Sequence, residues 1–413
     1  MEQNLTLHFK KTLCGTVNLP TSKSISNRVL MISALMPAGE RPVLESLSDC
    51  DDTRAMQHAM QQSVGTVDVG AAGTAMRFST AMFSVASGSD VVLTGSERMR
   101  HRPIKALVDA LKSLGACVEY MGEDGFPPLH IVGRRLEGGQ LHIPANISSQ
   151  YISALLMMAP MMAHGLTLFL DGAVISRPYI DMTLGIMRDF GAAASWETPQ
   201  SIRVEPKPYY RTEPFVVEAD WSAASYWYSL VATAPDANAS VTLPHLWRNS
   251  LQGDAAVQHI FARLGVQTTF TDCGVVLKKQ EFNAVPLFDL DMSRQPDLAQ
   301  TVAVCCALLN LPFRLDGLQT LRIKETDRLS ALQNELRKLG FVIQVLGDEA
   351  LLWDGSRCEA ETVPVVSTYD DHRMAMAFAP AAYRFEHLTI EHPEVVSKSY
   401  PHFFEDIQRL CCH

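Results

Sequence analysis

The sequence predicts an α/β protein of two domains built from six repeated helix-and-strand units, and three observations carry that prediction. The first is a repeat. Six times a short polar or glycine-bearing stretch opens into an Ala/Met/Leu-rich run, at residues 22–36, 73–87, 148–162, 222–234, 297–309 and 371–383. The last five openings, Gly73, Ser148, Ser222, Asp297 and Asp371, stand 75, 74, 75 and 74 residues apart. A second ruler agrees, because Leu114-Gly115, Phe190-Gly191, Leu264-Gly265 and Leu339-Gly340 recur at 76, 74 and 75. A period of this length marks repeated supersecondary units. The second observation is alternation, since strand-like runs separate the repeated helices throughout. The third is size: 413 residues, 47% of them hydrophobic, exceed what one core usually serves.

Each element follows from its local pattern. Strands are expected at 91–95, 140–144, 166–172, 215–220, 240–244, 312–317 and 387–393. A full unit adds an Ala/Met-rich helix, apolar all round and therefore buried, and a more amphipathic helix such as 102–115, 176–190, 250–264 or 324–339. Six units divide as three and three. The linker-like PKPYYRTEP at 206–214 puts one crossing near 220, and Leu19-Pro20 puts another near 20. The expected domains are 20–220, and 1–19 plus 221–413. The first interval, Ser22 to Gly73, is only 51 residues, about 24 short of the repeat, so the first unit is expected to be shortened.

Composition excludes several classes of function. Thirty-five Lys and Arg against 45 Asp and Glu give a net charge of −10, which argues against nucleic acid or an anionic membrane as partner. Nine cysteines, odd in number and without a C-x-x-C, suggest free thiols rather than a disulfide framework or a zinc site. No apolar leader opens the chain, and the greasiest stretch, 153–170, is broken by Pro160, His164 and Gly165, so a cytoplasmic protein is expected. P-loop, G-x-G-x-x-G, H-E-x-x-H and G-x-S-x-G patterns are all missing from the sequence.

The chemistry concentrates at helix openings. A first helical turn exposes unpaired N–H donors and a partial positive charge, so Ser, Thr, Gly, Lys or Arg there can hold an anion. SKSISNR offers Ser22, Lys23, Ser24 and Arg28; GAAGTAMR offers Gly73, Thr74 and Arg77; ISSQ offers Ser148, Ser149 and Gln150; YDDHR offers Asp371, His372 and Arg373. Ser and Asp are equally at home as N-caps, and the residues alone leave both readings open. Lys23 and Arg28 favour the anion, because a cap needs no cation and a buried helix tolerates one poorly. In KETDR, Lys324 and Arg328 are expected on one helical face, although Asp327 beside Arg328 also fits a solvated charge run. His372 and Cys305-Cys306 read as structural, and the methionines as core filler.

Ten segments in order closely resemble the EPSP synthase (3-phosphoshikimate 1-carboxyvinyltransferase) family: SKSISNR (22–28), AGTAMR (72–77), LTGSERMRHRPI (93–104), SSQYISALLMMAP (148–160), SRPYID (176–181), RNSLQGD (248–254), QPDLA (295–299), IKETDRL (323–329), YDDHRMAM (369–376) and SKSYPHFF (397–404). The resemblance implies an inside-out α/β barrel of the enolpyruvyl transferase type, with buried helices inside sheets and substrates in the cleft between two domains. It implies transfer of the enolpyruvyl group of phosphoenolpyruvate to the 5-hydroxyl of shikimate 3-phosphate with release of phosphate, in aromatic amino acid biosynthesis. It implies a monomer, with no metal, no organic cofactor and no partner beyond these small anions.

Carried over by motif, Lys23, Ser24, Arg28, Ser148, Ser149, Gln150, Ser176, Tyr179, Asp297, Thr320 and Lys324 are the implied shikimate 3-phosphate contacts. Ser148, Ser149 and Ser176 would take its phosphate and Arg28 its carboxylate. Lys23, Gly73, Arg102, Gln150, Arg328, Arg373 and Lys398 are the implied phosphoenolpyruvate shell. Asp297 would be the base at the 5-hydroxyl, with an N-cap as its alternative role, and Glu325 with Lys23 would move the proton at the methylene carbon. Two phosphates and two carboxylates bring roughly −5 to −6 into the site. Seven cations face that load: Lys23, Arg28, Arg102, Lys324, Arg328, Arg373 and Lys398. They are expected to depress the pKa of Asp297 and Glu325.

The chain departs from the family pattern at Thr21 for glycine, Ala71 for asparagine, Phe78 for proline and Thr320 for asparagine. Between Asp52 and Gly70 a strand-containing segment of the family is missing, which accounts for the short first interval. Two other readings stay in view. One is a UDP-N-acetylglucosamine enolpyruvyl transferase, a family whose cysteine lies in a mobile loop, where this chain has Cys117 at a helix end. The other is a catalytically impaired homologue that binds a phosphate ligand.

Overall fold

A computed structural model describes residues 4–145, 147–281 and 283–412. Its contacts divide the chain into two compact units: Thr21–Val217, and the residues up to Pro20 together with those from Glu218 onward.

In the Thr21–Val217 unit, the three Ala/Met-rich runs form helices Lys23–Ala34, Gly73–Val85 and Ser149–Met158, which pack on one another. Their residues are buried on every side after the first turn, as their all-round apolar sequences require. The other unit repeats the arrangement with Trp221–Thr233, Ala299–Leu308 and His372–Phe378. Each trio is the centre of its own continuous apolar core.

Separate sheets pack against these helices, and none closes into a barrel. Four sheets share one order of pairing: parallel, then antiparallel, then antiparallel. They are Val64–Asp68, Asp90–Thr94, Leu129–Val132, Cys117–Tyr120; Gly139–Pro144, Leu166–Asp171, Ser201–Val204, Ala194–Thr198; Cys14–Thr16, Ser240–Pro244, Gly274–Lys279, Val266–Thr271; and Phe288–Asp291, Phe313–Asp316, Ala350–Trp353, Gln344–Leu346. Inward and outward residues alternate along strands such as Gly139–Pro144, so one face packs and the other meets water. In a fifth sheet, Val365–Val366 runs parallel to Leu388–Ile390, and Leu5–Leu7 supplies the antiparallel neighbour.

The first unit is the exception. Its sheet is only the parallel pair Phe215–Val216 and Leu44–Glu45. Its amphipathic helix Asp51–Met60 is followed four residues later by Val64, the first strand of the next unit, whereas Ser113 and Gly139 bound the same interval in the second unit at 26 residues. The shortening expected from the repeat is therefore the loss of one antiparallel hairpin.

The second ruler has a backbone cause. Gly115, Gly191, Gly265 and Gly340 end their helices at φ 92°, 81°, 83° and 88°, the left-handed conformation that closes a helix and favours glycine. The pattern overextends other elements. The strand expected at 215–220 spans only Phe215–Val216, because Asp220 instead caps the Trp221 helix through the Ala223 N–H. The helix expected from 324 begins at Arg328, with Asp327 as its cap. No helix among the described residues is long and apolar enough to cross a membrane.

Candidate active site

The C-terminal unit gathers six of the sequence-derived residues into one charge network. Asp297 lies in the turn Pro296–Leu298 that leads into the Ala299 helix. Its Oδ1 is 3.3 Å from Lys324 Nζ and 3.0 Å from Arg328 Nη1, and its Oδ2 is 3.4 Å from Arg373 Nη2. It caps no helix. Burial opposes its ionisation, but Lys324, Arg373 and Arg328 outweigh that cost and hold the carboxyl far below the usual carboxylate range.

Arg328 is the hub. Besides Asp297, its Nη2 donates to Glu325 Oε2 at 2.9 Å and its Nε to Asp371 Oδ2 at 2.7 Å. Burial works against its charge, and the three carboxylates more than offset that, lifting the guanidinium above its ordinary value. At 2% exposure this is no solvated charge run. Glu325 also accepts from Lys398 Nζ at 2.9 Å. Asp371 caps the last buried helix, accepting from the Arg373 N–H at 2.9 Å, while Arg373 Nη1 donates to the Asp297 carbonyl at 3.2 Å. Lys324 reaches Asp297 from the end of the 3-10 turn Gln319–Ile323, not from a helical face shared with Arg328. Thr320 lies in that turn, but its hydroxyl oxygen is buried and has no hydrogen-bond partner, so it does not join the network.

In the Thr21–Val217 unit the residues form smaller groups. Ser22 caps the first buried helix, and Lys23 Nζ is 3.4 Å from Asp52 Oδ2. Arg28, one turn further on, is 3% exposed. Its Nε donates to Thr183 Oγ1 at 2.8 Å, Nη1 to the Ser24 carbonyl at 2.9 Å, and Nη2 to Ser153 Oγ at 3.3 Å and the Tyr179 carbonyl at 3.5 Å. The Phe78 ring, standing where the family has proline, lies 5.5 Å from the guanidinium. All these partners are neutral; no carboxylate among the described residues pairs with Arg28. Burial accordingly pushes its pKa down to about 10.

Ser148 caps the third buried helix through the Gln150 N–H, and Gln150 Nε2 donates to Thr74 Oγ1 at 3.1 Å, joining two helix openings. At Gly73 a Cβ would sit 2.8 Å from both Arg102 Nη1 and Arg77 Nη1, so only glycine leaves room for the two guanidiniums. Ser149 follows the cap directly, and Ser176 precedes the Arg177 helix at φ 57° without capping it. Cys117 begins a strand paired with Val132.

The sequence offers Asp371 only as part of a helix opening or as a cap, and it assigns no role to Asp52. A charge count of cations against substrate anions omits four protein carboxylates that pair with those cations, Asp52, Asp297, Glu325 and Asp371. The signal for Asp371 was its position as a cap; that it also neutralises Arg328, 43 residues away, is not legible in the chain.

Similarity to known proteins bears on the class. The fold matches that of the enolpyruvyl transferase NikO from Streptomyces tendae, with a TM-score of 0.72 at 17% identity over 99% of this chain and 97% of that one. It also matches EPSP synthase from Acinetobacter baumannii, at 0.77 and 20% identity over 98% of both chains. The fold is thus that of the enolpyruvyl transferases. The family model for EPSP synthase (3-phosphoshikimate 1-carboxyvinyltransferase) matches residues 8–65 and 61–407. A 3-phosphoshikimate 1-carboxyvinyltransferase of Bacteroides fragilis is 52% identical over 395 residues, 96% of this chain and 95% of that protein. One of Vibrio cholerae is 35% identical over 435 residues, 99% of each. The chain belongs to the EPSP synthase family.

Proposed function

We propose that this chain transfers the enolpyruvyl group of phosphoenolpyruvate to the 5-hydroxyl of shikimate 3-phosphate, giving 5-enolpyruvylshikimate 3-phosphate and phosphate. The observation that carries the reading is the Asp297 carboxylate, half-buried and kept ionised by Lys324, Arg328 and Arg373. Such an array suits a base beside anionic substrates. When a substrate phosphate or carboxylate draws the cations, their hold on Asp297 weakens and its basicity rises towards what a hydroxyl proton requires.

Arg28, buried among neutral partners, takes the shikimate carboxylate and gains the counter-charge it lacks. Ser148, Ser149 and Ser176 take the phosphate, while Lys23, Gly73, Arg102, Gln150, Arg328, Arg373 and Lys398 surround phosphoenolpyruvate. Glu325, with Lys23, transfers the proton at the methylene carbon, the hydroxyl oxygen attacks the cation-like centre, and the tetrahedral adduct then loses a proton and phosphate.

Phosphate release measured with each substrate alone and with both together tests this. Release is expected only with both. Release from phosphoenolpyruvate without shikimate 3-phosphate refutes the assignment, and phosphoenolpyruvate binding without turnover identifies an impaired homologue.

A further inference from the structure

We propose that Glu335 and Tyr369 are positioning residues that hold the cation array around Asp297 in its working geometry, an inference that rests on reading that array as the reaction site. Arg328 and Glu335 are seven residues apart on the Arg328–Lys338 helix, so they share one face two turns apart. Both are sealed from solvent, at 2% and 0% exposure. Both grip the same short segment.

Glu335 Oε1 accepts from the Tyr369 hydroxyl at 2.7 Å, and Oε2 accepts from the Ser367 N–H at 3.1 Å. Lys338 Nζ, 2.8 Å from Oε2, offsets the buried charge and donates to the Val365 carbonyl at 2.8 Å. The Ser367 hydroxyl donates to Glu391 Oε2 at 2.7 Å. Burial and the neighbouring Glu335 push the Tyr369 phenol up to about 12, so it remains a donor at neutral pH. One turn-pair along the helix, Arg328 holds Asp371.

Between these anchors the backbone is strained. Tyr369 and Asp370 both have φ of 55°, a left-handed pair that L side chains avoid and that persists only where its surroundings over-determine it. The strained turn presents Asp371 to Arg328 Nε and to the Arg373 N–H together. Those two arginines are the ones that embrace Asp297. Glu335 and Tyr369 thus act through Asp371.

The test compares the full-length chain with Tyr369→Phe and Glu335→Gln. Tyr369→Phe is expected to lower kcat/KM for phosphoenolpyruvate roughly tenfold while KM for shikimate 3-phosphate stays within about twofold. Glu335→Gln, which keeps one acceptor, is expected to lose less than Glu335→Ala. The Arg328 Nε–H resonance, assigned with Arg328→Lys, is expected to shift in Tyr369→Phe, and this readout needs no turnover. A fall in melting temperature with unchanged kinetic constants per folded molecule overturns the proposal, as does an unmoved Arg328 signal. If wild type fails to release phosphate but the Arg328 signal moves, the functional reading falls and the clamp stands.

Discussion

Arg328 Nε donates to Asp371 Oδ2 at 2.7 Å, and neither side chain meets water. Removing one member of such a pair strands the other as a buried charge, at a cost of about 3–5 kcal/mol. Asp371→Ala is expected to lose stability in that range by urea denaturation, and more than Asp371→Asn, whose carbonyl oxygen still accepts. A loss below about 1 kcal/mol would mean that the pair contributes as little as a surface ion pair.

Asp297→Asn removes the ionised carboxylate while keeping its shape. Turnover is expected to fall by about 10²–10⁴, with far smaller changes in substrate dissociation constants. Equal losses in turnover and binding would make Asp297 a structural anchor for its three cations.

The depressed pKa of Asp297 also sets a pH dependence. A carboxyl whose folded pKa lies below its unfolded value, about 3.9, adds stability that is complete above the unfolded pKa and is lost as pH falls towards the folded one. The stability difference between wild type and Asp297→Asn is expected to be constant near neutrality and to shrink below about pH 4. A difference that grows on acidification contradicts the assignment.

Arg28 carries a charge with which no carboxylate among the described residues pairs, so its place in the fold costs stability at neutral pH. Arg28→Met is expected to melt at or above the wild-type temperature without ligand. Shikimate 3-phosphate affinity should fall by about two orders of magnitude. Calorimetry reads both, and a strongly destabilised variant that still binds would refute the reading.

Gly73→Ala is expected to leave folding almost unchanged, because the clash falls on the ends of two flexible arginines. Displacing Arg102 should raise KM for phosphoenolpyruvate roughly tenfold. An unchanged KM would show that the arginine ends yield without consequence.

Much of the fold was legible because it repeats. The all-round apolar helices, the Leu-Gly and Phe-Gly endings and the 51-residue first interval are local signals, and the structure explains each as burial, a left-handed cap and a missing hairpin. The site was half legible. Arg328 within KETDR resembled a surface charge run, and Asp297 was also eligible as a cap. Of Arg328's three partners only Glu325 is a near neighbour in the chain, while Asp297 and Asp371 lie 31 and 43 residues away.

By itself, the sequence determined the period, the buried helices, the shortened unit and which residue types open each helix, because these depend on contacts within a few turns. Only the tertiary structure decided that Arg328 answers three carboxylates, that Arg28 answers none among the described residues, and that Thr320 stands apart. The reason is physical: a buried charge is governed by whatever the fold brings within about 4 Å of it, and the chain order does not encode that distance.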